Sequence, residues 1–120
     1  MGGSEMKTKT SEATPLQLNW LVAKAEGLLC FGFIVDVAGT LAVVNSDRQC
    51  EVFAPSTDWA QGGPIIERER IGLWCDGGDG WAAEDYIHAP IYGPTPLIAA
   101  MRCYVASKLG EEVEIPEGLQ

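Results

Sequence analysis

The 120-residue sequence holds one histidine and only eight lysines and arginines, and none of its four cysteines has a near neighbour. Each scarcity excludes something. Against 17 acidic residues those eight bases leave a formal net charge of −9. The bases are scattered, apart from Arg68 and Arg70, so no phosphate-neutralising surface is written here and direct nucleic-acid binding is not expected. No apolar run reaches the roughly 18 residues that read as a membrane span. No charged-then-apolar signal segment opens the chain. Structural zinc usually shows a short Cys-x-x-Cys knuckle. Cys30, Cys50, Cys75 and Cys103 form none, so neither metal nor other cofactor is expected. The simple reading is four reduced, mostly buried thiols in a cytoplasm. His88 stands without a Gly-x-Ser-x-Gly elbow or another nucleophile motif. It reads as a surface or structural residue, and no catalytic residue is assigned.

What is present fits one globular domain. Apolar residues make up 47% and charged residues 21%, enough for a core without disulfides or metal. Met1 to Glu5, before a second methionine at Met6, reads as an appended or start-site extension. Residues 6–14 are polar and aperiodic, a loose lead-in. The domain is expected over 15–115, with an acidic tail at 116–120.

Two stretches share one punctuation. In "TPLQLNWLVAKAEG" Thr14 caps, Pro15 suits the first turn and Gly27 the C′ position. This predicts a helix over 15–26. In "TPLIAAMRCYVASKLG" Thr95, Pro96 and Gly110 take the same roles, predicting a helix over 96–109. Its Ala99, Ala100, Cys103, Ala106 and Ser107 form a small-residue face that permits close approach.

Between the helices the period shortens. "LLCFGFIVD" (28–36), "TLAVVN" (40–45) and "RQCEVFA" (48–54) read as three antiparallel strands. "IGLWCD" and "GWAAEDYIH" read as a hairpin across "DGGDG", and Val113 to Ile115 as one short strand. The order predicts an α+β fold of two layers: an antiparallel sheet of about five strands packed with two main helices.

"PSTDWAQGGPIIERERI", from Pro55 to Ile71, is the least regular stretch. Ser56, Thr57 or Asp58 caps a single turn through Trp59 and Gln61. Gly62 and Gly63 break it, and Pro64 opens a second turn. The favoured reading then starts a strand after Glu69; the alternative begins it at Glu67. The candidate binding surface comprises Asp58, Trp59, Gln61, Gly62, Gly63, Pro64, Glu67 and Arg68. Trp59 is the best anchor, because it stands among turn residues, whereas Trp20, Trp74 and Trp81 read as core. Against this stands the plainer view that Glu67 to Arg70 is a solvated charged face. "DGGDG" lacks the ligand set of a calcium loop and reads as a turn.

The strings "PSTDWAQGGPIIERERI" and "GPTPLIAAMRCYVASKLGEEVEIP" resemble the NinX-like family of small phage and prophage proteins, over most of residues 6–115. Pro94, Thr95 and Pro96 belong to the second string. The resemblance implies a phage or prophage origin, a bacterial cytoplasm and a place among small accessory proteins of lambdoid phages. It brings no established activity, so no functional residue is carried over.

Three functions follow in order of preference. The first is a non-catalytic accessory protein that binds a host or phage protein through the rigid corner around Trp59. The second is a small-ligand binder or enzyme with a polar pocket of Asp58, Gln61, Glu67 and Arg68, joined by His88. The last is an acidic mimic of nucleic acid. The partner and the oligomeric state are not written in the sequence.

Overall fold

A computed structural model describes residues 5–78 and 80–120. Of the expected extension, residues 1–4 lie outside that range, as does Asp79 of the "DGGDG" turn. Glu5 already belongs to a strand. The expected lead-in is not loose: β1 (Glu5–Lys9) pairs antiparallel with β8 (Glu112–Pro116), and a 3₁₀ turn follows at Thr10–Glu12. The acidic tail also folds, as a 3₁₀ turn at Glu117–Leu119 that buries Leu119.

Both punctuated helices form. α1 (Pro15–Ala25) opens on a capping box in which the Thr14 hydroxyl accepts from Gln17 N and the Gln17 side chain accepts from Thr14 N. It closes on Gly27 at φ +76°, with Leu28 N bonded to Ala23 O and Gly27 N to Lys24 O. That pair of bonds satisfies the last carbonyls of the helix. α3 (Pro96–Leu109) opens on Thr95, whose hydroxyl accepts from Ile98 N.

The single five-stranded sheet is corrected. Among the described residues there are three small antiparallel sheets, and the fold is α+β. One is β1–β8. A second is the meander β2 (Phe33–Val35), β3 (Leu41–Val44) and β4 (Cys50–Val52). The third is the meander β5 (Gly72–Cys75), β6 (Trp81–Glu84) and β7 (Ile91–Gly93). A third helix, α2 (Trp59–Glu69), follows the first meander in sequence and precedes the second.

α3 is the hub. Leu97, Ile98, Ala99, Ala100, Met101, Cys103, Tyr104 and Val105 are all buried in it. Its small face lies on the third sheet: a Cβ at Gly93 would meet Ala99 N at 2.7 Å. α1 packs on its other side through Leu18, Leu21 and Val22, and Ile65 of α2 joins the same core. Burying such side chains stabilises by about 1.5–3 kcal/mol each. Trp20 and Trp81 take core positions as expected, but Trp74 is half exposed. The thiols also differ from expectation: Cys103 is buried, whereas Cys30, Cys50 and Cys75 are exposed.

Candidate functional site

Within the stretch from Pro55 to Ile71, Trp59–Glu69 folds as one continuous helix rather than two turns, and the next strand begins at Gly72. Asp58 caps it, its carboxylate accepting from Ala60 N at 3.0 Å. Gly62 does not break the helix. It faces inward, where a Cβ would come within 2.4 Å of Pro55 O and 2.6 Å of Leu97 Cδ2. Glycine is there because the backbone lies against the core, a tertiary reason that outweighs its weak helix propensity. Pro64 sits within the helix, directly after Gly62 and Gly63. The helix ends at Arg70 in the left-handed region, φ +56°.

Both ends of this corner are pinned. Before the helix, Ser56 is buried; its N–H and hydroxyl both donate to Asn19 Oδ1, at 3.0 and 2.7 Å. Gln61 reaches back to the end of β4 and just past it: its Nε2 donates to Val52 O at 2.9 Å and its Oε1 accepts from Ala54 N at 2.5 Å. Both ends of its amide are therefore engaged by backbone. Ile65 is buried, and Ile66 is partly buried against the core.

At the far end, Arg68 donates two bonds to Glu26, at 2.6 and 3.2 Å, and one to Glu69 at 2.9 Å. The Tyr104 hydroxyl donates to the same Glu26 carboxylate. Lys108 pairs with Glu69 at 3.3 Å, and Arg68 and Lys108 each lie within 6 Å of the Tyr104 ring centre, at 5.8 and 5.9 Å. The bonds from Arg68 hold the Glu26 carboxyl below its usual range, outweighing its partial burial, with Tyr104 adding to them. Burial first, then the hydrogen bond to Glu26, pushes the Tyr104 phenol up.

A cleft of about 580 Å³ runs beside α2. Gln61, Pro64 and Arg68 line it, together with Leu28, Phe31 and Val52 across from them. Those last three are exposed apolar side chains. Asp58 and Glu67 are exposed and not part of the wall, so the four expected polar residues do not converge on it. Trp59 stands outward at 54% exposure, with its ring 4.0 Å from where a Gly63 Cβ would be. His88 lies elsewhere, beside a second cavity of about 460 Å³, with its Nδ1 2.9 Å from Asp85. Among the described residues no three His, Cys, Asp or Glu side chains gather into a metal site.

Sequence reasoning passed over Glu26 and Tyr104, and over the apolar rim of Leu28, Phe31 and Val52. The only signal was that Glu26 closes one well-punctuated helix and Tyr104 lies on the apolar face of another. The rim residues were read as parts of strands.

The family model described as Bacteriophage P22, NinX matches residues 9–108. The chain belongs to the NinX family. The matched span takes in α1, α2, α3 up to Lys108 and both three-stranded sheets, and leaves β8 and all of β1 but Lys9 outside it. The NinX family is thus represented here by the hub helix, the pinned corner and the cleft beside α2. Comparison with curated proteins found no match. No helix among the described residues of this NinX chain is long and apolar enough to cross a membrane.

Proposed function

We propose that this NinX-family chain is a phage or prophage accessory protein that binds a host or phage protein in the bacterial cytoplasm and catalyses no reaction. One observation carries the reading: Trp59, an aromatic side chain on a helix pinned at both ends, points into solvent at 54% exposure. A rigid aromatic anchor loses little freedom on binding, which is why such residues dominate interfaces. The apolar rim of Leu28, Phe31 and Val52 would extend the contact along the cleft. The chemistry around that cleft is that of a surface that holds. Its arginine is already engaged by Glu26, and Gln61 is engaged by backbone.

A second reading keeps the cleft for a small molecule, since its volume falls within the roughly 300–1,000 Å³ typical of ligand sites. The two separate under site-specific crosslinking. A photoreactive phenylalanine analogue replacing Trp59, used in infected cells, should join the chain to one protein of defined mass. The same analogue replacing Tyr86, which is exposed on the far loop, should not. Equal protein crosslinking from both positions, or none from either, would overturn the reading.

A further inference from the structure

The β5–β7 sheet has one covered face and one open face. In an antiparallel sheet, directly paired residues project to the same side. Leu73, Ala83 and Ile91 form one such row; Ala83 is buried in the core and Leu73 packs against it. This is the side that α3 covers. Trp74, Ala82 and Tyr92 form the alternate row, on the opposite side. Ala82 has no exposed surface, yet the two rings beside it are 38% and 50% exposed. Neither ring belongs to the central core. The row is therefore an alanine floor between two aromatic walls, one on each outer strand.

Its charge is one-sided. Glu84 is on the same side as Ala82, two positions along β6, and Asp76 continues the alternation from Trp74 beyond the end of β5. Carboxylates thus stand on either side of the aromatic row, one displaced along the strands in each direction. Among the described residues neither forms an ion pair, and no base occupies the outward strand positions 72, 74, 82, 84 and 92.

We propose that this face docks a proline-rich segment of another protein that carries lysine or arginine. Two strand spacings set β5 and β7 about 9.5 Å apart. One turn of polyproline II, three residues at 3.1 Å, rises about 9.3 Å. Prolines at positions i and i+3 of a segment crossing the strands would each lie on one ring. Such segments bind aromatic-lined surfaces because their backbone is extended before they dock. The flanking carboxylates, on a chain of net charge −9, select basic neighbours and disfavour nucleic acid. The proposal is independent of the contact at Trp59.

The test is selection from a displayed peptide library with proline fixed at the first and fourth positions and all other positions randomised. A fully random library runs beside it. Enriched peptides should carry the prolines and extra lysine or arginine. Their affinity should fall at least tenfold with Trp74→Ala or Tyr92→Ala, while Trp59→Ala leaves it unchanged. The double variant Asp76→Asn/Glu84→Gln, which keeps both rings, should weaken binding and flatten its salt dependence. Folding of each variant is checked by circular dichroism. The proposal falls if no peptide is enriched over the Trp74→Ala/Tyr92→Ala protein, or if enriched peptides lack proline. It also falls if oligothymidylate or maltotriose binds this face and the peptides do not.

Discussion

The carboxylate of Glu26 receives both arms of the Arg68 guanidinium, at 2.6 and 3.2 Å, and so joins the end of α1 to the end of α2. Tyr104 of α3 bonds the same carboxylate, which makes Glu26 the point where three helices meet. Glu26→Gln should destabilise by about 1–2 kcal/mol, the lower range for a charged hydrogen bond because Arg68 is half exposed. Urea unfolding at pH 7 measures it. The Glu26 carboxyl is held below its ordinary 4.5, so its contribution is complete above that value and is lost as pH falls through its lowered folded value. The gap between wild type and Glu26→Gln should therefore narrow in acid.

Gly62 and Gly63 are adjacent in sequence and opposite in role. A Cβ at Gly62 would overlap Pro55 O and Leu97 Cδ2, whereas one at Gly63, its chain neighbours and the helix's own backbone aside, meets Trp59 Cε3 at 4.0 Å. Gly62→Ala should cost about 2–4 kcal/mol by overpacking against backbone. Gly63→Ala should change stability by less than about 1 kcal/mol, because better helix propensity and a less free unfolded chain offset the crowding of a Cβ against the Pro64 ring. Thermal unfolding should therefore fall sharply for Gly62→Ala and stay near wild type for Gly63→Ala.

Asp85 gives a second acid-sensitive point. Partial burial works to raise its carboxyl, but bonds from the His88 N–H, the His88 ring and the Ile87 N–H prevail and lower it from 3.8 to about 2. Its stabilisation is present above about pH 4 and disappears as pH falls towards 2. Asp85→Asn should reduce stability at pH 7 and flatten the stability profile across that window. Acid titration followed by tryptophan fluorescence reads both effects.

Thiol accessibility checks the fold directly. Cys30, Cys50 and Cys75 are exposed, whereas Cys103 is buried in α3, and its burial pushes the thiol up to about 12. A disulfide reagent at pH 8 should label three thiols quickly in the native protein and the fourth only on unfolding. Removing Cys103 should abolish the slow phase.

Local chemistry was legible in the sequence and long-range chemistry was not. Thr14, Pro15 and Gly27 marked α1, and Thr95, Pro96 and Gly110 marked α3, because capping depends on neighbours. The Gly-Gly-Pro run misled for the converse reason. Gly62 answers to Pro55 and Leu97, and the contact with Leu97 reaches across the chain. β1 was missed because its partner begins beyond residue 111 and its own residues carry no apolar alternation. The candidate surface was legible in part. Trp59 does stand outward, and Gln61, Pro64 and Arg68 share a wall. The opposite wall comes from Leu28, Phe31 and Val52, which only the folding of the first meander brings there.

The central claim is that the pinned corner presents Trp59 to a protein partner. The direct measurement is quantitative recovery of bound proteins from infected cells with wild type and with Trp59→Ala, after matched unfolding curves show that both are folded. The account predicts a protein retained by wild type and lost, at least tenfold, from the variant, since truncating an aromatic hot spot typically costs about 2 kcal/mol or more. A folded Trp59→Ala that keeps every partner of the wild type, or a wild type that retains none, would contradict it.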